Sequence, residues 1–478
     1  MISYFTRPVA DSERGGRREV LRVALPLIFG TAADTLMQMT DRVFLAHHSD
    51  TAFQACLPLG ILSYVFLCVF HNVASYAGTF VAQYYGAGST RGCLRATAQG
   101  LWLALFSVPF IMALIPAGVW WIRRSGLPEG VVAEGMDYFL ILMLGGLRLP
   151  MAGAISGWFT GKHLLARNTA AHLAGTVLNV PLDWLFIFGC ERLGIPAMGV
   201  RGAALATVIS GFAPFVLLFW WYVRSADARE HGLRAAFAPD FRLMWRVTRF
   251  GLPAALQVLV DVGSFTVFVF LVGRLGGLEL TAGNLCLSVN HLAFAPLMAF
   301  GFAASIIVAR YQGAGEPGLA SRAGWSSLQV GWCYMVPLAL LFAALPRLFI
   351  APFNAPNSAY TMGQLLAVGR PMMLMMGAWG VADCANIILM SALRGAGDTR
   401  FVMVCMTVAG WCVWLPAEWW AMRNDWGLLP MWGILAAYIT GLAFVFAWRW
   451  RRGKWKTIQV IEPVLIPPSP HTEDVPWA

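Results

Sequence analysis

Long, predominantly apolar blocks recur along the chain, among them Ala98–Trp120, Met136–Trp158 and Ala320–Leu345. Each reaches or exceeds the ~20 residues a helix needs to cross a hydrocarbon layer about 30 Å thick. A membrane-spanning β-barrel would instead show alternating segments of about ten residues, and no such pattern occurs. Hydrophobic residues make up 58% of the chain and charged residues 12%. A soluble domain carries about 25% charged residues, so a soluble globule is excluded and an all-α integral membrane fold is expected.

The few charges are ordered. Arg7, Arg14, Arg17 and Arg18 precede the first span, and Arg91 and Arg95 follow the second. Lys162 and Arg167 follow the fourth; Arg224, Arg229, Arg234, Arg242 and Arg246 follow the sixth. Arg449, Arg451, Arg452, Lys454 and Lys456 follow the last. The alternate loops carry fewer, for example none around His47–Thr51 and one each near Arg192 and Arg423. That is the positive-inside pattern, which places both termini in the cytoplasm of a multi-pass plasma-membrane (bacterial inner-membrane) protein. The net charge of +10 therefore reflects topology and does not call for a nucleic-acid partner. Met1–Glu19 has no short apolar core or small-residue cleavage site, so no removable signal peptide is read there. Nine scattered cysteines without a C-x-x-C pair read as packing residues, not as a disulfide framework or a metal site.

Twelve spans are expected: Val20–His47, Ala55–Tyr84, Leu94–Ile122, Met136–Phe159, Ala170–Phe188 and Gly199–Tyr222, then Val247–Val272, Leu280–Ala309, Ala323–Leu345, Leu365–Met390, Phe401–Met422 and Met431–Trp450. They divide the chain into a cytoplasmic segment 1–19, a first lobe 20–223, a linker 224–246, a second lobe 247–450 and a basic, proline-rich tail 451–478. Within that tail, the part from Ile458 onward reads as disordered. An internal repeat joins the lobes. At an offset of 227 residues, Leu25-Pro26 meets Leu252-Pro253, Asp34 meets Asp261, and Val81-Ala82-Gln83-Tyr84-Tyr85-Gly86-Ala87-Gly88 meets Val308-Ala309-Arg310-Tyr311-Gln312-Gly313-Ala314-Gly315. Six spans per half is even, so the halves are parallel repeats about an axis along the membrane normal, a plan suited to alternating access.

The pieces Leu25-Pro26 … Thr40-Asp41, Val81-Ala82-Gln83 … Gly86-Ala87-Gly88 and Leu178-Asn179-Val180-Pro181-Leu182-Asp183 resemble the multidrug and toxin extrusion (MATE) family. So do Gly199-Val200-Arg201-Gly202-Ala203-Ala204-Leu205-Ala206-Thr207 and Ala392-Leu393-Arg394-Gly395-Ala396-Gly397-Asp398-Thr399-Arg400, in order from about Val20 to Trp450. The resemblance implies twelve helices in two six-helix lobes forming a V around a central cleft. It implies a monomer that exports small organic compounds through the lipid bilayer against an inward flow of H⁺ or Na⁺, with no other cofactor. A flippase of the wider superfamily, acting on a lipid-linked or amphipathic substrate, is the alternative; its cavity would be basic, whereas intramembrane charge here is mainly acidic. No Walker loop, H-E-x-x-H or Ser/His/Asp set is present, so an enzyme is not expected.

Carboxylates inside hydrocarbon are costly and mark function by default. Those in the spans are Asp34, Asp41, Asp183, Asp261 and Asp383, with Glu418 close to a span end. Burial favours the neutral, proton-holding form of such a group, and two or three oxygens together can replace water around Na⁺. Asn179 and Asp183, four residues apart, share one helix face. By resemblance, Asp41, Asn179, Asp183 and Thr207 form a first-lobe cation or proton site, and Asp261 and Asp383 a second-lobe one that lacks an obvious polar cluster in sequence. Arg42, beside Asp41, departs from the family's small residue. Asp34 and His291 are possible cleft residues. His47 and His48 read as loop residues at the outer mouth, and Arg394 with Asp398, four apart, as a brace at the end of the tenth span. Most of the 21 Trp and 21 Met are expected to face lipid or the interface. Reporter fusions test the charge reading: fusions at Arg234 and at the tail report cytoplasm, one at Ser49 reports the outside, and an outside signal from Arg234 would overturn the two-lobe topology.

Overall fold

The computed structural model describes residues 11–125, 128–272, 277–351 and 361–462, with the side chains of some helical residues, Asp34 and His291 among them, outside that description. The twelve spans are α1 Arg17–His48, α2 (Asp50–Ser75 and Ala77–Gly86), α3 (Thr90–Phe106 and Val108–Arg123), α4 (Glu129–Leu144 and Arg148–Gly161), α5 Leu165–Phe188 and α6 Val200–Val223. The second half has α7 Phe241–Val272, α8 Gly277–Gly313, α9 Pro317–Ala344, α10 Met362–Gly395, α11 Thr399–Arg423 and α12 Leu428–Arg452. Ten of these are long and apolar enough to cross a membrane, and α4 makes an eleventh when its halves are taken as one span bent by 41°. The twelfth, α1, has 32 residues but carries Asp34, Asp41 and Arg42. At 1.5 Å per residue it is nevertheless about 48 Å long. No strand occurs among the described residues beyond one isolated bridge, Cys190 to Ile195.

The interruptions have local causes. α4 bends at Gly145 and Gly146, where a side chain would run into Val208 and Leu67. α3 breaks at Ser107 just before Pro109, which cannot donate to the preceding turn. In α11 a π-helical stretch, Val408–Trp414, precedes Pro416, which likewise leaves a carbonyl one turn back without its usual donor.

In the first lobe α1 packs on α5, α5 on α6, and α2 on α4; in the second, α10 lies against α8, α9 and α12. The described hydrogen bonds and ion pairs between the lobes all lie at the end that carries the basic loops. There the repeat becomes visible as structure. A Cβ on Gly86 would lie 1.9 Å from the Arg310 carbonyl oxygen, and one on Gly313 would lie 2.0 Å from that of Gln83. Gly86 and Gly313, and likewise Gln83 and Arg310, are equivalent under the 227-residue offset, so each repeat presents the same glycine to the same backbone position of the other. Tyr76 Oη donates to the Arg394 carbonyl at 2.8 Å, and Gln83 Nε2 to that of Gly395 at 3.2 Å. Ahead of α1, Arg14 pairs with Glu316 at 2.8 Å, and in its first turn Glu19 accepts from Tyr311 Oη at 2.8 Å.

Three expectations need correction. The stretch 224–246 is not a plain linker: it forms helices Ala226–His231 and Leu233–Phe237, and α7 already begins at Phe241. It is held by ion pairs of Lys162 with Asp227 and of Arg95 with Asp240, the latter at 2.5 Å. The tail does not become disordered at Ile458. Val460 is fully buried in the apolar cluster with Phe80 and Tyr84, and Arg246 pairs with Glu462 at 2.9 Å; the prolines from Pro463 onward lie outside the described residues. The brace is not Arg394 with Asp398. Asp398 receives both Nε and Nη2 of Arg449 on α12, at 2.7 and 3.3 Å, while Arg394 Nη1 reaches Gln257 Oε1 at 3.4 Å. One turn of spacing was outcompeted by a planar guanidinium from another helix that offers two parallel donors.

The glycine contact is testable. Gly86→Leu removes the close approach, so spin labels across α2 and α8 at this end move apart, as measured by electron-electron double resonance. An unchanged distance distribution would show that the glycine is not what permits closure.

Candidate functional site

Pro181 stands inside α5, between Asn179 and Asp183 in sequence, and cannot donate to the Val177 carbonyl four residues back, while the helix itself runs unbroken from Leu165 to Phe188. Asn179 and Asp183 are fully buried, and Asp41 of α1 and Thr207 of α6 nearly so. Thr207 Oγ1 donates to Asp41 Oδ2 at 3.0 Å. Asp41 and Asn179 are the polar groups that face Asp183. Even so, both Asp183 oxygens, both polar atoms of the Asn179 amide and Asp41 Oδ1 have no hydrogen-bond partner with acceptable geometry. The four residues named from sequence thus meet in one dry pocket, and most of its polar capacity is unspent. Buried polar atoms in native proteins are satisfied in the large majority of cases, so such a concentration marks a place that receives something.

Two further groups belong to this pocket and carried no signal in the sequence. Tyr138 of α4 is buried near Asp41, and its hydroxyl meets Cys56 of α2 at 3.5 Å. Cys56 in turn lies within electrostatic range of both Asp41 and Asp183. A mid-span tyrosine in a helix with several aromatic residues looks like packing until the partner helix is in place.

The second-lobe acids sit differently. Asp261 of α7 is accessible and Asp383 of α10 partly so, although both lie deep along their spans. That combination describes the wall of a cleft. They lie within electrostatic range of each other and of Tyr438 on α12. Asn386 Nδ2 donates to Asp383 at 3.1 Å, and Ser264 Oγ to the Asp261 carbonyl at 3.0 Å. The Asp383 carboxylate thus has Asn386 one turn along its own helix, and both acids have Tyr438 within range; Tyr438 lies 177 residues from Asp261, and only packing brings it there. The side chains of Asp34 and His291 lie outside the described residues. His47 and His48 are not loop residues but close α1, with His47 Nδ1 2.8 Å from the Val43 carbonyl.

An all-helical membrane protein built as two repeated halves, each with intramembrane acids, has the make-up of a transporter. The MatE family profile matches residues 26–185 and 253–420, and the chain belongs to that family. It is 30% identical over 462 residues to the probable multidrug resistance protein NorM of Pseudomonas putida, spanning 91% of this chain and 95% of that one. It is 26% identical over 420 residues to the multidrug resistance protein MdtK of Yersinia pestis, spanning 87% and 90%. Among solved structures, an outward-facing multidrug resistance MATE transporter of the MOP superfamily superposes with a TM-score of 0.82 at 16% identity, covering 95% of this chain and all of that one. A Pyrococcus furiosus MOP-superfamily transporter, described as having a binding pocket of reversed polarity, fits equally well at 0.82 and 16%. The chain is thus a multi-pass membrane protein with the MATE fold.

A pocket kept polar for function costs stability. Asn179→Leu removes two unsatisfied buried atoms and keeps the volume, so it raises the thermal midpoint in detergent, by the equivalent of about 1–3 kcal/mol. A lowered midpoint would show that the amide is satisfied and structural.

Proposed function

We propose that this protein is a secondary active antiporter that exports organic, cationic or lipophilic compounds in exchange for protons by alternating access. The reading is carried by the dry first-lobe pocket, where two carboxylates, Asp41 and Asp183, face one another beside Asn179 and Thr207. Like charges held close in a low dielectric cannot both persist, so such a pair shares a proton. Loading and unloading that proton changes the charge between α1, α5 and α6, and these three helices form one side of the lobe. The names of the NorM and MdtK relatives support multidrug export.

The second-lobe acids suit a different task. Asp261 and Asp383 line the cleft where water reaches them, which favours attraction of a cationic substrate and disfavours the acidic headgroup of a lipid-linked one. The basic loops put the joined end of the lobes in the cytoplasm of a bacterial inner membrane. The hydrogen bonds between the lobes then lie on the cytoplasmic side, which supports an outward-facing arrangement.

In proteoliposomes, efflux of a fluorescent cationic dye persists in Na⁺-free medium and collapses when a protonophore removes the pH gradient. Asp41→Asn and Asp183→Asn each keep shape and remove charge, and each lowers efflux about a hundredfold or more at unchanged expression. Efflux that follows Na⁺ and survives the protonophore would move coupling to Asp261 and Asp383, with Asp261→Asn then the more damaging change.

A further inference from the structure

Glu418 lies in the last part of α11, Leu415–Arg423, and no surface of it is exposed. One carboxylate oxygen accepts from Trp414 Nε1 at 2.8 Å; the other, Oε2, has no partner. Trp414 is the final residue of the π-helical stretch, and its ring stacks on Tyr438 of α12 at 4.7 Å and 9°. The Tyr438 hydroxyl lies against Gly410 of the same stretch, where a Cβ would be 3.4 Å away, and within range of Asp261 and Asp383. Contacts thus run from a buried carboxylate near one end of α11 through Trp414 to Tyr438, whose hydroxyl lies within electrostatic range of the second-lobe acid pair. They pass through a helix segment whose irregular bonding permits rearrangement.

We propose that Glu418 is a proton-binding residue of the second lobe, and that its protonation state is transmitted through Trp414 and Tyr438 to the Asp261–Asp383 pair. A fully buried carboxylate with one donor and one orphaned oxygen is expensive as an anion. Oε2 takes one proton from a hydronium ion, so that one O–H bond breaks there, leaving water, and one forms on Glu418; the reverse transfer returns the proton to water later in the cycle, and nothing is oxidised or reduced. While ionised, Glu418 holds Trp414 by a charge-assisted hydrogen bond, roughly twice as strong as a neutral one. Protonation weakens that hold and frees the indole, and with it the stacked tyrosine beside the acids. This part of α11 packs on α7 and α12. Their mid-span titratable groups among the described residues are Asp261 and Tyr438; Arg423 closes the helix of Glu418 itself, and the arginines of α7 and α12 lie at their far ends. The proposal rests on the proton-coupled reading above and extends it to the second lobe.

Infrared difference spectra of the reconstituted protein, titrated with pH, test proton binding directly. Glu418→Gln keeps the acceptor for Trp414 and removes the proton, so one carboxylic C=O band disappears that survives in Asp261→Asn. Dye efflux driven by a pH gradient then falls about tenfold at unchanged dye affinity. A difference spectrum identical to that of the parent, or full efflux, overturns the proposal. Should Glu418→Gln not fold, Trp414→Phe retains the ring stack and removes the donor; the Glu418 band then shifts, and an unshifted spectrum overturns the link. If the parent's efflux ignores the pH gradient altogether, the proton-antiport reading fails, while the band still reports whether Glu418 binds a proton.

Discussion

A hydrocarbon layer supplies no hydrogen bonds, so each backbone group of a span must find its partner inside the protein. Everything else in this fold is arranged around the places where that rule is bent. Pro181 removes one backbone donor from α5 between Asn179 and Asp183, a π-helical stretch distorts α11 next to Tyr438, and two glycines bend α4 over α2 and α6. Each departure lies beside buried polar side chains or a close helix approach. Irregular backbone is tolerated at membrane depth only where protein or a water-lined cavity covers it, which confines these breaks to the interior of the lobes and the cleft.

The second constraint is the contact between lobes. Two glycines related by the internal repeat let backbone meet backbone, with no room for a side chain on either. A pairing in which residue i of one repeat meets j of the other, and j meets i, is the geometry of a two-fold interface. Here it is realised within one chain. Around this contact the packing is asymmetric. The segment before α1 crosses to Glu316 and Tyr311 of the second lobe, while the tail lays Val460 into the apolar cluster of the first. The alternating access proposed above would require this end to part, and these straps would have to loosen.

The two lobes hold acids in contrasting surroundings. Asp41 and Asp183 are dry and poorly partnered; Asp261 and Asp383 are reached by water and have polar neighbours. A dry pair discriminates by proton occupancy, since an unpaired buried charge is costly, whereas an accessible pair acts chiefly through its field on whatever enters the cleft. Equivalent halves of one duplicated plan have thereby diverged in what their carboxylates can do.

Much of this was legible in the residues alone. Apolar length located each span, because the thickness of a bilayer sets a minimum length, while helix ends run up to seven residues past the expected bounds, as at Glu129 against Met136. The 227-residue offset exposed the repeat, and the spacing of Asn179 and Asp183 put them on one helix face. What the chain could not reveal is which helices meet. Tyr138 and Cys56 join the first-lobe pocket from α4 and α2, Tyr438 reaches the second-lobe acids from α12, and Asp398 chose Arg449 over the nearby Arg394. Periodicity reports the face a residue occupies, not the neighbour that face will find. That neighbour was settled by packing between helices distant in sequence, and with it the difference between a dry acid pair and a wet one.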